Sequence, residues 1–188
     1  ALPSQSSVGA LEQALDWLQW VSFSEHASLL DTPDALLATL QSTPAALDTL
    51  TRSLSDAEWC WQPQPREWSV TEIACHLRDV DREVHWPRLA KVSQEDNPFL
   101  PGIETDHWAD ERNYRAQDGK AALQSFFQAR AELLHLLCGL APEDWQRTAR
   151  HAIFGPTRLV ELVTFIATHD RTHIRQVLET LQQAPSGD

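Results

Sequence analysis

The sequence predicts an all-α fold in which four long amphipathic helices form a four-helix bundle, preceded by an N-terminal helical extension. Apolar residues recur every three or four positions along four long segments, which is the period of a helix that buries one face. Three of these segments begin at a capping residue, Thr32, Ser69 or Asp118. No stretch alternates apolar and polar residues for long enough to require a sheet. We therefore expect the extension at residues 1–30, the bundle at 31–183 and a flexible tail at 184–188.

Length, charge and cysteine content limit the classes of function. A chain of 188 residues suits one domain with its own core. The formal net charge of −12 disfavours nucleic acid as a partner. No run approaches the roughly 20 apolar residues that span a bilayer, and residues 1–10 lack a secretory signal, so we expect a cytoplasmic protein without membrane contact. The three cysteines, Cys60, Cys75 and Cys138, lack metal-site spacing and are expected to be small buried hydrophobes.

The N-terminal extension contains a short amphipathic segment. Leu11, Leu15 and Leu18 lie at helical spacing within it. Trp17 and Trp20 beside them either cover the outside of the bundle or lie in a contact between subunits.

The first bundle helix has a clear start. Thr32 is expected to cap it, and Pro33 occupies the first helical position, where a missing N–H costs nothing. Pro44 is not expected to break the path of this helix. The apolar stripe comprises Leu36, Leu37, Leu40, Leu47, Leu50 and Leu54. Residues 55–68 then form a connection whose tryptophans, Trp59, Trp61 and Trp68, either line an apolar pocket or plug the end of the bundle, and we favour the plug.

The second helix begins at a capping box formed by Ser69 and Glu72. Its inward stripe comprises Val70, Ile73, Leu77, Val80, Val84 and Leu89. Residues 92–118 are predicted to be irregular, and a connection of this length is typical of a lid over a site.

The third and fourth helices complete the bundle. Asp118 is expected to cap the third helix, which ends near Gly139. Its apolar residues are Leu123, Phe126, Phe127, Leu133, Leu134, Leu136, Leu137 and Leu140. The tripeptide Gly155-Pro156-Thr157 leads into the fourth helix at residues 158–182.

Three histidines fall on the inward faces of these helices. His169 and His173 are four residues apart in the fourth helix, a spacing that stacks two side chains on one face. Leu162, Ile166 and Val177 continue the same stripe. His76 lies on the inward face of the second helix. An inward imidazole needs a partner, so these residues are either core histidines bonded to carbonyl groups or ligands of one metal ion.

A metal held by His76, His169 and His173 would retain open coordination positions, as catalytic metals do. Imidazole nitrogen suits Zn, Ni, Cu or Fe(II), and the residues do not choose among them. The remaining histidines His26, His85 and His135 are expected to be ordinary surface or core residues.

Three short motifs resemble the DinB/YfiT-like superfamily. They are Trp68-Ser69-Val70 before His76, Gly155-Pro156-Thr157 before the last helix, and the run Ile166-Ala167-Thr168-His169-Asp170-Arg171-Thr172-His173. The resemblance covers about residues 30–183. It implies an up-down-down-up bundle and a divalent metal held at His76, His169 and His173. It also implies a small-molecule substrate and a homodimer, since relatives of this kind are often dimers.

Characterised members of that superfamily include thiol-dependent transferases and isomerases that use bacillithiol, mycothiol or glutathione. A metal can hold such a thiol as the nucleophilic thiolate. The expected function is therefore metal-dependent S-transfer from a low-molecular-weight thiol. The alternatives are a metal-dependent hydrolase and a non-catalytic bundle with a structural metal and a role in stress-related binding. A role in DNA repair conflicts with the net charge.

Further candidates lie beside the predicted site. His107 and His151 occur in connections and are either general acid–base groups, a fourth ligand, or exposed loop residues. Arg112 lies on the predicted lid and is a candidate for contact with an anionic substrate. Asp79 and Asp170 either accept a proton from a ligating imidazole or belong to solvated faces.

Overall fold

The computed structural model describes residues 32–185 of the chain. The predicted N-terminal extension, with Trp17 and Trp20, and residues 186–188 of the predicted tail lie outside the described residues. Within 32–185, no helix is both long and apolar enough to cross a membrane.

The first bundle helix, Pro33–Thr51, begins at the predicted cap and continues past Pro44. The hydroxyl of Thr32 accepts a hydrogen bond from the Ala35 amide at 3.3 Å, which confirms the predicted cap. The helix runs through Pro44 without a break, although a proline there removes the bond to the carbonyl of Leu40. That carbonyl accepts a hydrogen bond from Arg130 Nη1 instead, at 3.4 Å. Leu54 lies beyond the end of the helix.

The second bundle helix, residues 70–94, contains a π-helical turn that the sequence pattern did not predict. An α-helical segment, Val70–Val80, is followed by the π-turn Asp81–His85 and a second α-helical segment, Trp86–Gln94. The predicted capping box is present, because Ser69 and Glu72 each bond to the other's backbone amide. Pro87 follows the π-turn and has no N–H to donate to the carbonyl of Glu83, which favours a wider turn at this point.

The stretch predicted to be irregular, residues 92–118, is more ordered than expected. The second helix extends to Gln94, and the strand β1 (Phe99–Leu100), a short helix (Trp108–Glu111) and a 3₁₀ turn (Tyr114–Ala116) follow. Trp108, Ala109 and Tyr114 are buried in the core. The prediction of an irregular connection was therefore wrong. A short helix, Asp56–Cys60, likewise occupies part of the predicted connection between the first and second helices.

The third bundle helix, Gly119–Cys138, and the fourth, Leu159–Gln183, agree with the sequence pattern. Asp118 caps the third helix through the Ala121 amide at 3.0 Å. Gly119 lies against Thr71 of the second helix so closely that a Cβ would come within 2.5 Å of the Thr71 hydroxyl. The expectation for the cysteines was right for Cys75 but wrong for Cys60 and Cys138, which are exposed on helix ends.

A small three-stranded sheet lies beside the bundle, contrary to the expectation of no sheet. β1 pairs in parallel with β2 (Thr148–His151), which pairs in antiparallel with β3 (Gly155–Arg158). Strands of two to four residues are too short to show an alternating pattern in the sequence. Gly155 adopts a positive φ of 72° where the hairpin turns, a conformation that glycine takes without strain.

The helices run up-down-down-up, which confirms the predicted topology. Leu36 and Leu40 pack in one apolar cluster with Leu159 and Val163, and Leu47 packs in a second cluster with Val177, so the first and fourth helices are parallel. The second and third helices are also parallel. Ile73 and Leu123, near the starts of these two helices, lie in the second cluster. Leu89 and Leu133, nearer their ends, lie in the first cluster.

A buried layer of charge separates the two apolar clusters. Arg130 of the third helix has no exposed side-chain surface. Its guanidinium donates to Asp81 at 2.8 and 3.1 Å and pairs with Asp170 of the fourth helix. Thr43 of the first helix also donates to Asp170, at 2.8 Å. The layer therefore connects all four helices.

We expect Arg130→Met to destabilise the fold strongly. The change leaves Asp81 and Asp170 buried without their cation, and breaking a buried pair in this way costs about 3–5 kcal/mol. Urea unfolding of the variant would measure the loss. Arg52→Met is the control, because its ion pair with Asp48 is exposed and such pairs contribute about 0–1 kcal/mol. A loss for Arg130→Met no larger than that of the control would contradict this assignment.

Candidate metal centre

The structure brings His76, His169 and His173 together, as the sequence predicted. The second and fourth helices are antiparallel, and their inward faces meet at these three rings. The Nε2 atom of His169 lies 3.1 Å from Nε2 of His76 and 3.1 Å from Nε2 of His173. One ligand atom from each residue lies within 4.8 Å of the others. Three imidazoles from two helices therefore face a common point.

Burial keeps these imidazoles neutral. It lowers the pKa of His76 to about 3, with a further contribution from the neighbouring His173 and His85. Burial also lowers the pKa of His169 and of His173, and for His169 the adjacent imidazoles and Arg130 act in the same direction. Neutral imidazole is the form that binds a metal.

The donor set fits a divalent cation. Three Nε2 atoms that face one another cannot all be satisfied by hydrogen bonds among themselves, whereas one cation accepts all three lone pairs. Such binding requires the proton of each ring to be on Nδ1. In His173 this atom lies 2.9 Å from Gln176 Oε1, which is an acceptor in the right place. The Nδ1 atoms of His76 and His169 are buried and have no partner among the described atoms.

His85 is an additional residue of the site that the sequence analysis assigned to the surface or core. Its ring contacts that of His169 edge-on at 5.3 Å, and its Nδ1 lies 2.9 Å from Asp81 Oδ1. In a regular α-helix, residues nine apart differ by about 180°, which would place His85 opposite His76. The π-turn removes part of that rotation. The available signal was Asp81, a carboxylate on an otherwise apolar stripe.

Trp68 lies beside the imidazoles, so the plug interpretation was wrong for this residue. Its ring is stacked on His173 at 6.0 Å with an interplanar angle of 7°, and it lies 4.8 Å from the ring of His76. Trp59 is buried in the core, and Trp61 is half-buried. Trp68 therefore covers one side of the cluster with an apolar surface.

Neither carboxylate considered as a partner of the imidazoles has that role. Asp79 accepts hydrogen bonds from Arg78, Arg112 and Tyr114. Its burial opposes ionisation, but these bonds outweigh burial and hold its pKa below the ordinary value. Asp170 pairs with Arg130 and Thr43. Both residues are buried, so the alternative of solvated faces was wrong as well.

The other candidate residues have structural contacts of their own. His107 is exposed and precedes the helix Trp108–Glu111, and its Nε2 lies 3.5 Å from Glu111 Oε2. Arg112 is held by Asp79 and Glu83 and covers the ring of Trp108. His151 is buried in β2, where its Nδ1 accepts hydrogen bonds from the amides of residues 153 and 154. A catalytic role for these three residues stays a prediction.

Comparisons with known proteins agree with the fold. A model of the DinB superfamily matches residues 39–177. The uncharacterized protein YuaE of Bacillus subtilis (strain 168) is 23% identical over 141 residues, which cover 68% of this chain and 86% of that protein. The structure of YfiT from Bacillus subtilis is described as a probable metal-dependent hydrolase with an unusual four-helix bundle topology. It matches with a TM-score of 0.72 at 18% identity, over 80% of this chain and 86% of YfiT.

We expect His76→Ala, His169→Ala and His173→Ala each to lose bound divalent metal while the bundle stays folded. Each change removes one of three donors, and the apolar clusters do not depend on them. Elemental analysis of protein purified without a histidine tag, with circular dichroism, measures both effects. His135→Ala is the control, since this imidazole is exposed on the third helix. Wild-type metal content in all three variants would contradict the assignment, and unfolding on loss of metal would indicate a structural ion.

The buried imidazoles also predict how stability depends on pH in the metal-free protein. Burial lowers the pKa of His76 to about 3, whereas an unfolded histidine titrates near 6.5. Between these values the unfolded state binds the additional proton, so the free energy of unfolding falls as the pH falls from about 6.5 towards 3, by about 1.4 kcal/mol per pH unit for each such imidazole. Urea unfolding across this range measures the slope. His76→Gln should reduce it, and an unchanged slope would show that His76 is not buried neutral.

Proposed function

This chain belongs to the DinB superfamily, and we propose that it is a metal-dependent enzyme that transfers the sulfur of a low-molecular-weight thiol to an electrophilic small molecule. His76, His169 and His173 would hold the divalent cation, for which Zn, Ni and Fe(II) suit imidazole nitrogen. The observation that carries the proposal is the convergence of three neutral imidazoles. Among the described residues, no carboxylate joins this group.

The bound cation would supply Lewis acidity, which lowers the pKa of a coordinated thiol and presents it as the thiolate. The protein supplies a neutral donor set, because burial lowers the pKa of each imidazole. The carboxylates near the cluster are already paired with arginine, Asp79 with Arg78 and Asp170 with Arg130. These carboxylates are therefore not available to the cation, and the site favours an anionic ligand that comes from solution.

The surrounding side chains hold the imidazoles in place. Gln176 bonds to His173, and the stacked ring of Trp68 fixes the plane of the same imidazole. His85, held by Asp81, contacts His169 from the other side. Trp68 also excludes water from one side of the cluster and offers an apolar surface to the electrophile. In the transfer, the thiolate sulfur forms a bond to the electrophilic carbon, and the leaving group departs with the electron pair of the broken bond.

A hydrolase is the second candidate. It is favoured by the likeness to YfiT, described as a probable metal-dependent hydrolase, since the same three imidazoles would serve a reaction in which water is the nucleophile. The difference between the two functions is the identity of the nucleophile, and it can be measured directly.

We expect the metal-loaded protein to catalyse the reaction of chlorodinitrobenzene with one of the thiols bacillithiol, mycothiol or glutathione. The rate should fall by about 10²-fold or more in metal-stripped protein and in His169→Ala, because the nucleophile is then not activated. Spectrophotometric turnover measures it, and His135→Ala serves as the control, because this imidazole is exposed on the third helix.

A metal-dependent rate with p-nitrophenyl acetate in the absence of thiol would instead identify the hydrolase. If the stripped protein matches the loaded protein in both assays, neither function holds.

A further inference from the structure

Arg88 differs from the other arginines around the site because no carboxylate of residues 32–185 forms an ion pair with it. Its Nη2 donates to the carbonyl of Pro101 at 2.8 Å, and its Nε is buried with no acceptor among the described atoms. Arg78, Arg112 and Arg130, by contrast, each pair with a carboxylate. Burial lowers the pKa of Arg88. A half-buried guanidinium in this state gains from any anion that reaches it.

Arg88 lies close to the imidazole cluster. It is three residues after His85, so it occupies the next turn of the same helix face, and the ring of His85 contacts His169. The fourth helix runs in the opposite direction, and Phe165 is one turn before His169. Arg88 and Phe165 are therefore each one turn from the pair His85–His169, on two facing helices.

A row of aromatic rings connects Phe165 back to Arg88. The ring of Phe165 lies 4.6 Å from that of Phe154, which lies 4.7 Å from that of His151. Leu100 pairs with His151 in the sheet, and the next residue, Pro101, accepts the hydrogen bond from Arg88, so Arg88 lies near His151. Burial and this cation both lower the pKa of His151. Ring contacts thus lead from Phe165 to His151, and Arg88 lies beside His151.

Two rings of this row, those of Phe154 and Phe165, are open to solvent. Phe154 and Phe165 are 54% and 43% exposed, which is unusual for two phenylalanines in contact. An unpaired cation beside exposed aromatic rings matches one class of ligand, an anion carried on an apolar group.

We propose that Arg88, Phe154 and Phe165 form a subsite for a carboxylate borne on an apolar group, so that one of the reactants of this enzyme is an organic carboxylate. The inference rests on the proposed function, since it gives the subsite its place one helical turn from the imidazole cluster. The carboxylate belongs either to the thiol or to the electrophile, and the experiment separates the two.

The first measurement uses benzoate and its neutral analogue benzamide as probes. Each is titrated into the zinc-loaded full chain while the backbone amide shifts of residues 154 and 165 are followed by NMR. We expect benzoate to bind about tenfold more tightly than benzamide, and Arg88→Gln to remove that difference without changing the affinity for benzamide. Arg150→Gln is the matched control, because Arg150 is an exposed neighbour on β2 that bonds only to the carbonyl of Asn97 in the described structure.

Further variants secure the interpretation. Phe154→Ala should weaken benzoate and benzamide alike, since it removes apolar contact and leaves the charge. Zinc content and circular dichroism of Arg88→Gln should equal those of the wild type, and Arg88→Lys should retain part of the preference if the variant is folded. Equal benzoate affinity in the wild type and Arg88→Gln would overturn the subsite, whatever the activity assays give.

The second measurement uses cobalt-loaded protein with mercaptopropionate and mercaptopropionamide, and it follows the thiolate-to-cobalt absorption band. A preference for mercaptopropionate that depends on Arg88 assigns the carboxylate to the thiol. Equal binding of the two thiols, with the benzoate preference intact, assigns it to the electrophile. If neither thiol gives the band, the proposed thiol chemistry fails, and the benzoate titration still decides the subsite independently.

Discussion

The buried guanidinium of Arg130 is the constraint on which the bundle depends. It donates to the Leu40 carbonyl on the first helix, to Asp81 on the second and to Asp170 on the fourth, while it is itself on the third. Ions in a low-dielectric interior are tolerated only when each is paired and hydrogen-bonded. A shift of any helix along its axis would break a pair. Burial of the apolar clusters on either side stabilises the bundle, but the hydrophobic effect is non-directional. The ionic layer therefore specifies how the helices are aligned along their axes.

The same layer positions the imidazole cluster. Asp81 is hydrogen-bonded to both Arg130 and His85, and the ring of His85 contacts the ring of His169. Asp170 is the residue after His169 and is held on the other side of the guanidinium. The positive charge of Arg130 also disfavours a proton on His169, and this adds to the effect of burial on its pKa. The network that fixes the register of the helices thus also keeps the site neutral and oriented.

The features that the sequence predicted correctly are those that depend on local patterns of residues. The caps at Thr32, Ser69 and Asp118 and the inward position of His76, His169 and His173 follow from residue type and helical period, and the structure agrees with all of them. The features it did not predict depend on contacts between distant residues. The π-turn moves His85 into the site, and the short strands exist only through pairing.

Arg130 is the residue whose importance the sequence could have indicated. It follows Phe126 by four positions and precedes Leu133 by three, so a full charge occupies the apolar stripe of the third helix. Asp81 and Asp170 occupy the stripes of two other helices in the same way. A cation and two anions on inward faces predict a buried ionic layer, because none of them is tolerated there alone.

Charge balance connects this scaffold to the chemistry of the site. The chain carries a net charge of −12, yet the three buried carboxylates around the imidazoles, Asp79, Asp81 and Asp170, are paired with Arg78, Arg112 and Arg130. Neutral imidazoles add no charge, and within residues 32–185 no carboxylate forms an ion pair with Arg88. Further negative charge at the site would then come from a bound ligand. The proposed thiolate at the imidazoles and the proposed carboxylate at Arg88 would each supply it, within an otherwise acidic protein.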